Sequence, residues 1–216
     1  MNGTIPTSIG QLSELINLNL QENSWKGVIT EAQLMNLTRL EEFILTTATN
    51  QSLVFNVTFV WVPTFRLKYL ELESCLIGPK FPVWLQVQSE LTSVTLNNIG
   101  ISETILKERF SKISSQLTPL DLSNNQIMGK LSYQLLFPNV DVVDLSCNQF
   151  RGPIPLWFTN ATKLSLKRNS FPGPISSTIS DLMPRYLDLS ENLLKLDGTI
   201  PLSIQKLENL EVLHLN

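Results

Sequence analysis

A pair of apolar residues separated by one position returns along the whole chain, and this return constrains the fold more than any other feature. The pairs are Leu18/Leu20, Phe43/Leu45, Leu70/Leu72, Val94/Leu96, Leu120/Leu122, Val143/Leu145, Leu164/Leu166, Leu187/Leu189 and Leu213/Leu215. Counted from the second member of each pair, the steps are 25, 27, 24, 26, 23, 21, 23 and 26 residues, a mean of about 24. Self-similarity at a period of roughly 20–29 residues signals stacked coils. Each pair alternates with period two, so each predicts a short strand with one buried face. One coil of this length cannot bury its apolar side alone and must pack on the coils before and after it.

Aligning the repeats on the second leucine sorts the other residues into columns. Five positions later stand Trp25, Ile77, Ile101, Ile127, Phe150, Phe171 and Leu194; nine later stand Ile29, Phe81, Ile105, Leu131, Ile154 and Ile175. Both columns are expected in the core. Glycine recurs seven positions later as Gly27, Gly129, Gly152 and Gly173, where the chain must turn sharply. Asparagine recurs three positions later as Asn23, Asn125, Asn148, Asn169 and Asn192, with Cys75 as a substitute. A buried amide where the chain leaves a strand can bond the main chain of its own and adjacent coils, which predicts an asparagine ladder. Ile5-Pro6, Ile154-Pro155 and Ile200-Pro201 begin return segments, since proline fixes φ and ends strand pairing. Apolar residues three apart follow, as in Leu12/Leu15, Leu37/Leu40 and Leu207/Leu210, and suit a 3₁₀ turn or a short helix. Trp84 and Trp157 both fall twelve residues after their anchors and read as equivalent packing residues on the convex side. Two coils break the pattern. Ala48 stands where the ladder wants asparagine, Asn50 where an apolar residue belongs, and Ile99 interrupts the ladder again.

Composition narrows the function classes. A formal net charge of −3 offers no basic face for nucleic acid. Apolar runs such as Phe59 to Pro63 are far too short to span a bilayer, and the first residues show no signal-peptide pattern. Cys75 and Cys147 belong to coils three steps apart. At about 4.8 Å per parallel neighbour they are separated by roughly 14 Å, so two free thiols are expected. Asn-x-Ser/Thr sequons at Asn2, Asn36, Asn50, Asn56 and Asn160 point to a glycosylated, secreted surface. There is no His-Glu-x-x-His, Cys-x-x-Cys, phosphate loop or kinase motif, and the one histidine is His214. No enzyme activity, metal or cofactor is expected.

The stretch Asn148-Gln149-Phe150-Arg151-Gly152-Pro153-Ile154-Pro155 resembles the plant-type leucine-rich repeat. The resemblance runs from Asn2 to Asn216 and implies a right-handed α/β solenoid, with a parallel concave sheet and short 3₁₀ or helical convex segments. Within that class the chain is similar to ectodomains of plant receptor-like proteins. The residues carrying this likeness are Trp61-Val62-Pro63, the run from Ser74-Cys75 to Trp84-Leu85, and the Asp-Leu-Ser triplets at Asp121, Asp144 and Asp188. It implies a non-enzymatic module that recognises peptide or protein elicitors in plant defence and signals through a partner receptor-like kinase. Its implied place is the extracellular side of the plasma membrane, with membrane contact only through segments outside this sequence. The alternatives are a secreted protein resembling polygalacturonase inhibitors and the ectodomain of a receptor-like kinase. A nonfunctional truncated product is a third reading. The pattern opens inside a repeat at Gly3-Thr4-Ile5-Pro6 and stops inside a strand at Leu215. The expected organisation is therefore one domain over residues 1–216, of about nine repeats without caps.

Residues alternating with the leucines are expected to point outward on the concave face. Those chosen as candidate ligand contacts are Tyr69, Glu71, Asp121, Asp144, Lys163, Lys167, Arg168, Tyr186 and Asp188, an acidic stretch followed by a basic cluster. Mixed charge with tyrosine suits a protein or peptide ligand.

Overall fold

The computed structural model describes residues 1–48, 52–58, 60–104, 116–131, 138–154, 159–195 and 200–216. Every expected apolar pair lies on or at the edge of a strand. The nine strands are β1 (Asn17–Asn19), β2 (Glu42–Thr46), β3 (Tyr69–Glu73), β4 (Ser93–Asn97), β5 (Pro119–Asp121), β6 (Val142–Asp144), β7 (Lys163–Ser165), β8 (Tyr186–Asp188) and β9 (Val212–His214). They form one parallel sheet in chain order. The register stacks the pairs on one another, as in Leu18 on Phe43, Leu70 on Val94 and Leu164 on Leu187. Residues such as Phe43, Leu70, Leu72, Leu96 and Leu164 are completely buried in the resulting core. Pro119 has no N–H to give. Pairing between β4 and β5 accordingly contracts to Val94 on Leu120 and Thr95 on Asp121, where β3 and β4 pair over five residues.

The asparagine ladder closes the end of each strand. Asn148 Nδ2 donates to the carbonyls of Leu122 (2.9 Å), Leu145 (3.2 Å) and Ser146 (3.1 Å), and Oδ1 accepts from Ile127 N at 2.9 Å. Leu122 and Ile127 belong to the preceding coil, so one buried side chain satisfies main chain on both coils. Asn125, Asn169 and Asn192 repeat the arrangement. The residue before each ladder position is left-handed. Glu22, Ser74, Asn98, Asn124, Cys147, Arg168 and Glu191 all have φ between 51° and 57°. Each stands two residues after its anchor leucine, a regularity the side-chain columns do not reveal. None is glycine, so each costs about 1 kcal/mol or more that the ladder bonds offset.

Both irregular coils find other ways to close. The coil anchored on Leu45 omits the left-handed residue, and Thr47 rather than Ala48 takes the ladder position. Thr47 is buried, bridges to Asn23 and donates Oγ1 to Trp25 O at 3.2 Å, while Ala48 is exposed. The expected gap at Ala48 is thus filled by its neighbour. At Ile99 the main chain substitutes for the missing amide, because its carbonyl accepts from Ile77 N and Gly78 N, both at 2.9 Å. The close approach needs Gly78, since a Cβ there would lie 1.8 Å from Gly100 O. Cys75, in the same ladder column, is buried, and burial pushes its thiol pKa up to about 12.

Short parallel pairs line one flank, where the sequence columns predict turns alone. Asn2–Gly3 pairs with Ser24–Trp25, Gly27–Ile29 with Leu53–Phe55, Met128–Lys130 with Gln149–Arg151, and Pro172–Gly173 with Leu193–Leu194. On the return side the described helices are all 3₁₀: Thr7–Gln11, Glu31–Gln33, Val83–Val87, Ser177–Asp181 and Ile204–Lys206. Leu37, Leu40 and Leu207 are buried as expected, whereas Leu12 is exposed. Trp84 is buried against Phe55, Trp61 and Phe65. Its expected counterpart Trp157, and also Asn50 and Ile105, lie outside the described residues.

Replacing Asn148 by alanine strands buried main-chain groups on two coils and is expected to cost roughly 2–3 kcal/mol, read as a lower urea midpoint. Restoring the ladder asparagine with Cys75→Asn is expected to lower the midpoint as well. Cys75 is completely buried, so the larger polar amide would overpack the space the thiol fills.

Candidate ligand-binding face

The parallel register turns each strand position into a row across the sheet. The first row runs Asn17, Glu42, Tyr69, Ser93, Pro119, Val142, Lys163, Tyr186 and Val212. The second runs Asn19, Ile44, Glu71, Thr95, Asp121, Asp144, Ser165, Asp188 and His214. All the chosen residues lie on this face or on the turns that leave it. Tyr69 and Tyr186 are five strands apart, about 24 Å at 4.8 Å per step.

On β3 the Tyr69 hydroxyl donates to Glu71 Oε2 at 2.8 Å. Burial, together with Glu71, Glu73 and Glu42, pushes the Tyr69 phenol up to about 12. Burial first, then the charges of Glu71 and Asp121, also raises the Glu73 carboxyl above its ordinary range. Glu73, Glu71 and Asp121 therefore share one negative field across β3 to β5. Asp144 extends it: burial first, then the Asp144 charge, raises the Asp121 carboxyl, against the Ser123 hydrogen bonds and Lys163.

The Asp-Leu-Ser aspartates are partly structural. Each accepts from the main-chain N–H two residues on: Asp121 from Ser123 (2.7 Å), Asp144 from Ser146 (2.9 Å) and Asp188 from Ser190 (2.9 Å). This local cap holds the turn after the strand. Asp188 departs most from the expected exposed contact. It is buried, and besides Ser190 it bonds Tyr186 Oη (3.3 Å) and His214 Nδ1 (3.2 Å). Burial works against its charge, but the Ser190 hydroxyl and amide and the His214 ring outweigh it and hold its pKa below the ordinary value.

The basic cluster is real but partly neutralised. Lys167 Nζ lies 3.1 Å and Arg168 Nε 2.6 Å from the two oxygens of Glu191. These hydrogen bonds lower the Glu191 carboxyl. The choice of residues from sequence missed Glu191. It was legible, because Arg168 and Glu191 each stand two residues after the anchor leucine of adjacent coils. Lys163 keeps its ammonium 5.5 Å from the centre of the Tyr186 ring. Of the sequons, Asn2, Asn36, Asn56 and Asn160 are exposed, and Asn50 lies outside the described residues.

Equivalent aspartates with opposite shifts give a sign test. Asp121 sits above the ordinary carboxylate value, so its charge weakens the folded state at pH 7 and ceases to do so as pH falls and it protonates. Asp188 sits below it, so its contribution is present at pH 7 and lost as pH falls through its depressed folded value. Relative to the parent chain, Asp121→Asn is expected to be more favourable at pH 7 than at pH 3. Asp188→Asn is expected to be less favourable at pH 7 than at pH 3. Urea unfolding at both pH values reads the difference.

The Leucine Rich Repeat family model matches residues 139–161. Receptor-like protein EIX2 of Solanum lycopersicum is 37% identical over 193 residues, 88% of this chain and 18% of that protein. Receptor-like protein EIX1 of the same plant is 42% identical over 62% of this chain and 13% of its own length. The chain thus spans less than a fifth of either relative. Among solved structures, the plant peptide hormone receptor RGFR1 in complex with RGF2 superposes with a TM-score of 0.70 at 22% identity, covering 99% of this chain and 38% of that one. That similarity shows the fold. The chain is a leucine-rich-repeat solenoid whose relatives in sequence are plant receptor-like proteins.

Proposed function

We propose that this solenoid, similar over most of its length to plant receptor-like proteins, is a non-enzymatic recognition module for peptide or protein elicitors. The observation that carries the proposal is the polarised strand face. Carboxylates of Glu71, Glu73, Asp121 and Asp144 gather on β3 to β6, and Lys163, Lys167 and Arg168 on β7 and its turn. Two tyrosines frame the span, each with its ring half-buried and its hydroxyl on a neighbouring carboxylate. A ligand lying across the strands meets several coils at once, and its polarity is set by this order of charge. Tyrosine rings between ionic groups supply contact area at low entropic cost.

The relatives support a receptor setting. The parent protein stands at the cell surface, takes part in defence, and signals by associating with a receptor-like kinase once the ligand is bound. The exposed sequons Asn2, Asn36, Asn56 and Asn160 fit glycosylation of an extracellular surface. Among the described residues no helix is long and apolar enough to cross a membrane.

The test is binding of purified chain to a panel of peptide and protein elicitors by surface plasmon resonance. For a ligand that binds, Lys167→Glu combined with Arg168→Glu is expected to weaken affinity at least tenfold. Glu191→Gln, which releases both cations, is expected to strengthen binding of an acidic ligand. Unchanged affinity in all these variants would remove the basic cluster from the site. The ion pairs are well exposed, so these changes should leave stability within about 1 kcal/mol.

A further inference from the structure

The flank sheet carries a second charged surface, remote in kind from the strand face. A groove of about 720 Å³ runs over the paired strands Met128–Lys130 and Gln149–Arg151, with Pro172 and Leu193 on its far side. Lys130 and Arg151 are register partners on neighbouring parallel strands, about 4.8 Å apart along the sheet. Gly152 gives the lysine room: a Cβ there would lie 3.0 and 3.2 Å from Lys130 Cγ and Cδ, so the aliphatic stem lies against the turn. Both side chains are exposed.

On the strand face Lys68 pairs with Glu41, and Lys167 and Arg168 pair with Glu191. By contrast, no ion pair is formed by Lys130 or Arg151 among the described residues. Glu103, whose carbonyl accepts from Met128 N, turns its carboxylate to Phe81 N at 2.5 Å. Beside the two cations Met128 is 41% and Leu193 62% exposed. Two cations in register, without an ion-pair partner among the described residues and next to exposed apolar side chains, ask for a surface that has both carboxylates and apolar groups. A bare polyanion would leave Met128 and Leu193 uncovered.

We propose that this flank groove is a docking surface for an acidic, leucine- or methionine-bearing segment of a partner protein, separate from the ligand face. Carboxylates of the partner lie on Lys130 and Arg151, where the guanidinium can take one of them bidentately, and its apolar side chains cover Met128 and Leu193.

The probe is a fluorescein-labelled peptide alternating glutamate and leucine, titrated with the full chain and read by fluorescence anisotropy. Saturable binding that weakens as salt rises is expected. Lys130→Ala combined with Arg151→Ala is expected to weaken it at least tenfold, and Leu193→Asn at least threefold. Lys167→Ala combined with Arg168→Ala should leave it within twofold, so failure here and failure of the strand-face reading are separable. Circular dichroism confirms that each variant is folded. Absence of saturable binding, or affinity indifferent to Lys130 and Arg151, overturns the proposal. Equal affinity for a glutamate–asparagine peptide or for polygalacturonate also overturns it, by showing a plain anion site.

Discussion

Each coil must satisfy its own main chain while lending half of its bonds to the next, and the rest of the molecule depends on that condition. Burying the leucine pairs is favourable only if the backbone at the strand ends is not left unpaired in the core. Four asparagine amides, at Asn125, Asn148, Asn169 and Asn192, meet this condition by bonding two coils at once. The left-handed residue before each of them, and the aspartate cap of the Asp-Leu-Ser turn, set the amide at the right depth. Where the amide is absent, Thr47 and the Ile99 carbonyl take over the same task. The condition is therefore stricter than the sequence motif that usually meets it.

The same regularity produces the surface. Because neighbours in the sheet are always neighbours in the chain, side chains align in rows whose electrostatics depend on the adjoining coils. Asp121 and Asp188 occupy one repeat position and carry the same local cap. Their carboxyls nevertheless shift in opposite directions: at Asp121 burial, helped by the charge of Asp144, prevails, whereas at Asp188 the Ser190 bonds and the His214 ring outweigh burial. Charge polarity along the face is thus a property of coil order. The flank sheet obeys the same rule, placing Lys130 beside Arg151.

Much of this was legible in the residues. The leucine period foretold nine parallel strands, the asparagine column foretold the ladder, and the glycines with Ile-Pro foretold where coils turn. Periodicity could not show what depends on neighbours three-dimensionally. Asp188 reads as an outward residue by alternation, yet His214 and Tyr186 fold over it and remove it from water. Ala48 reads as a ladder defect because one residue is omitted before it, a deletion that only backbone geometry reveals. The flank strands escaped because two or three residues containing glycine give no strand signal, and their pairing is set by the stack rather than by propensity.

Hydrogen–deuterium exchange of the chain, with and without a bound elicitor, tests the central claim that ligand lies across the strand face from β3 to β8. The account predicts added protection in the turns that leave these strands, at Ser74, Asn98, Asn124, Cys147 and Arg168, with the return helices Val83–Val87 and Ser177–Asp181 unchanged. Protection confined to the return helices, with the strand-end turns exchanging as before, would contradict it.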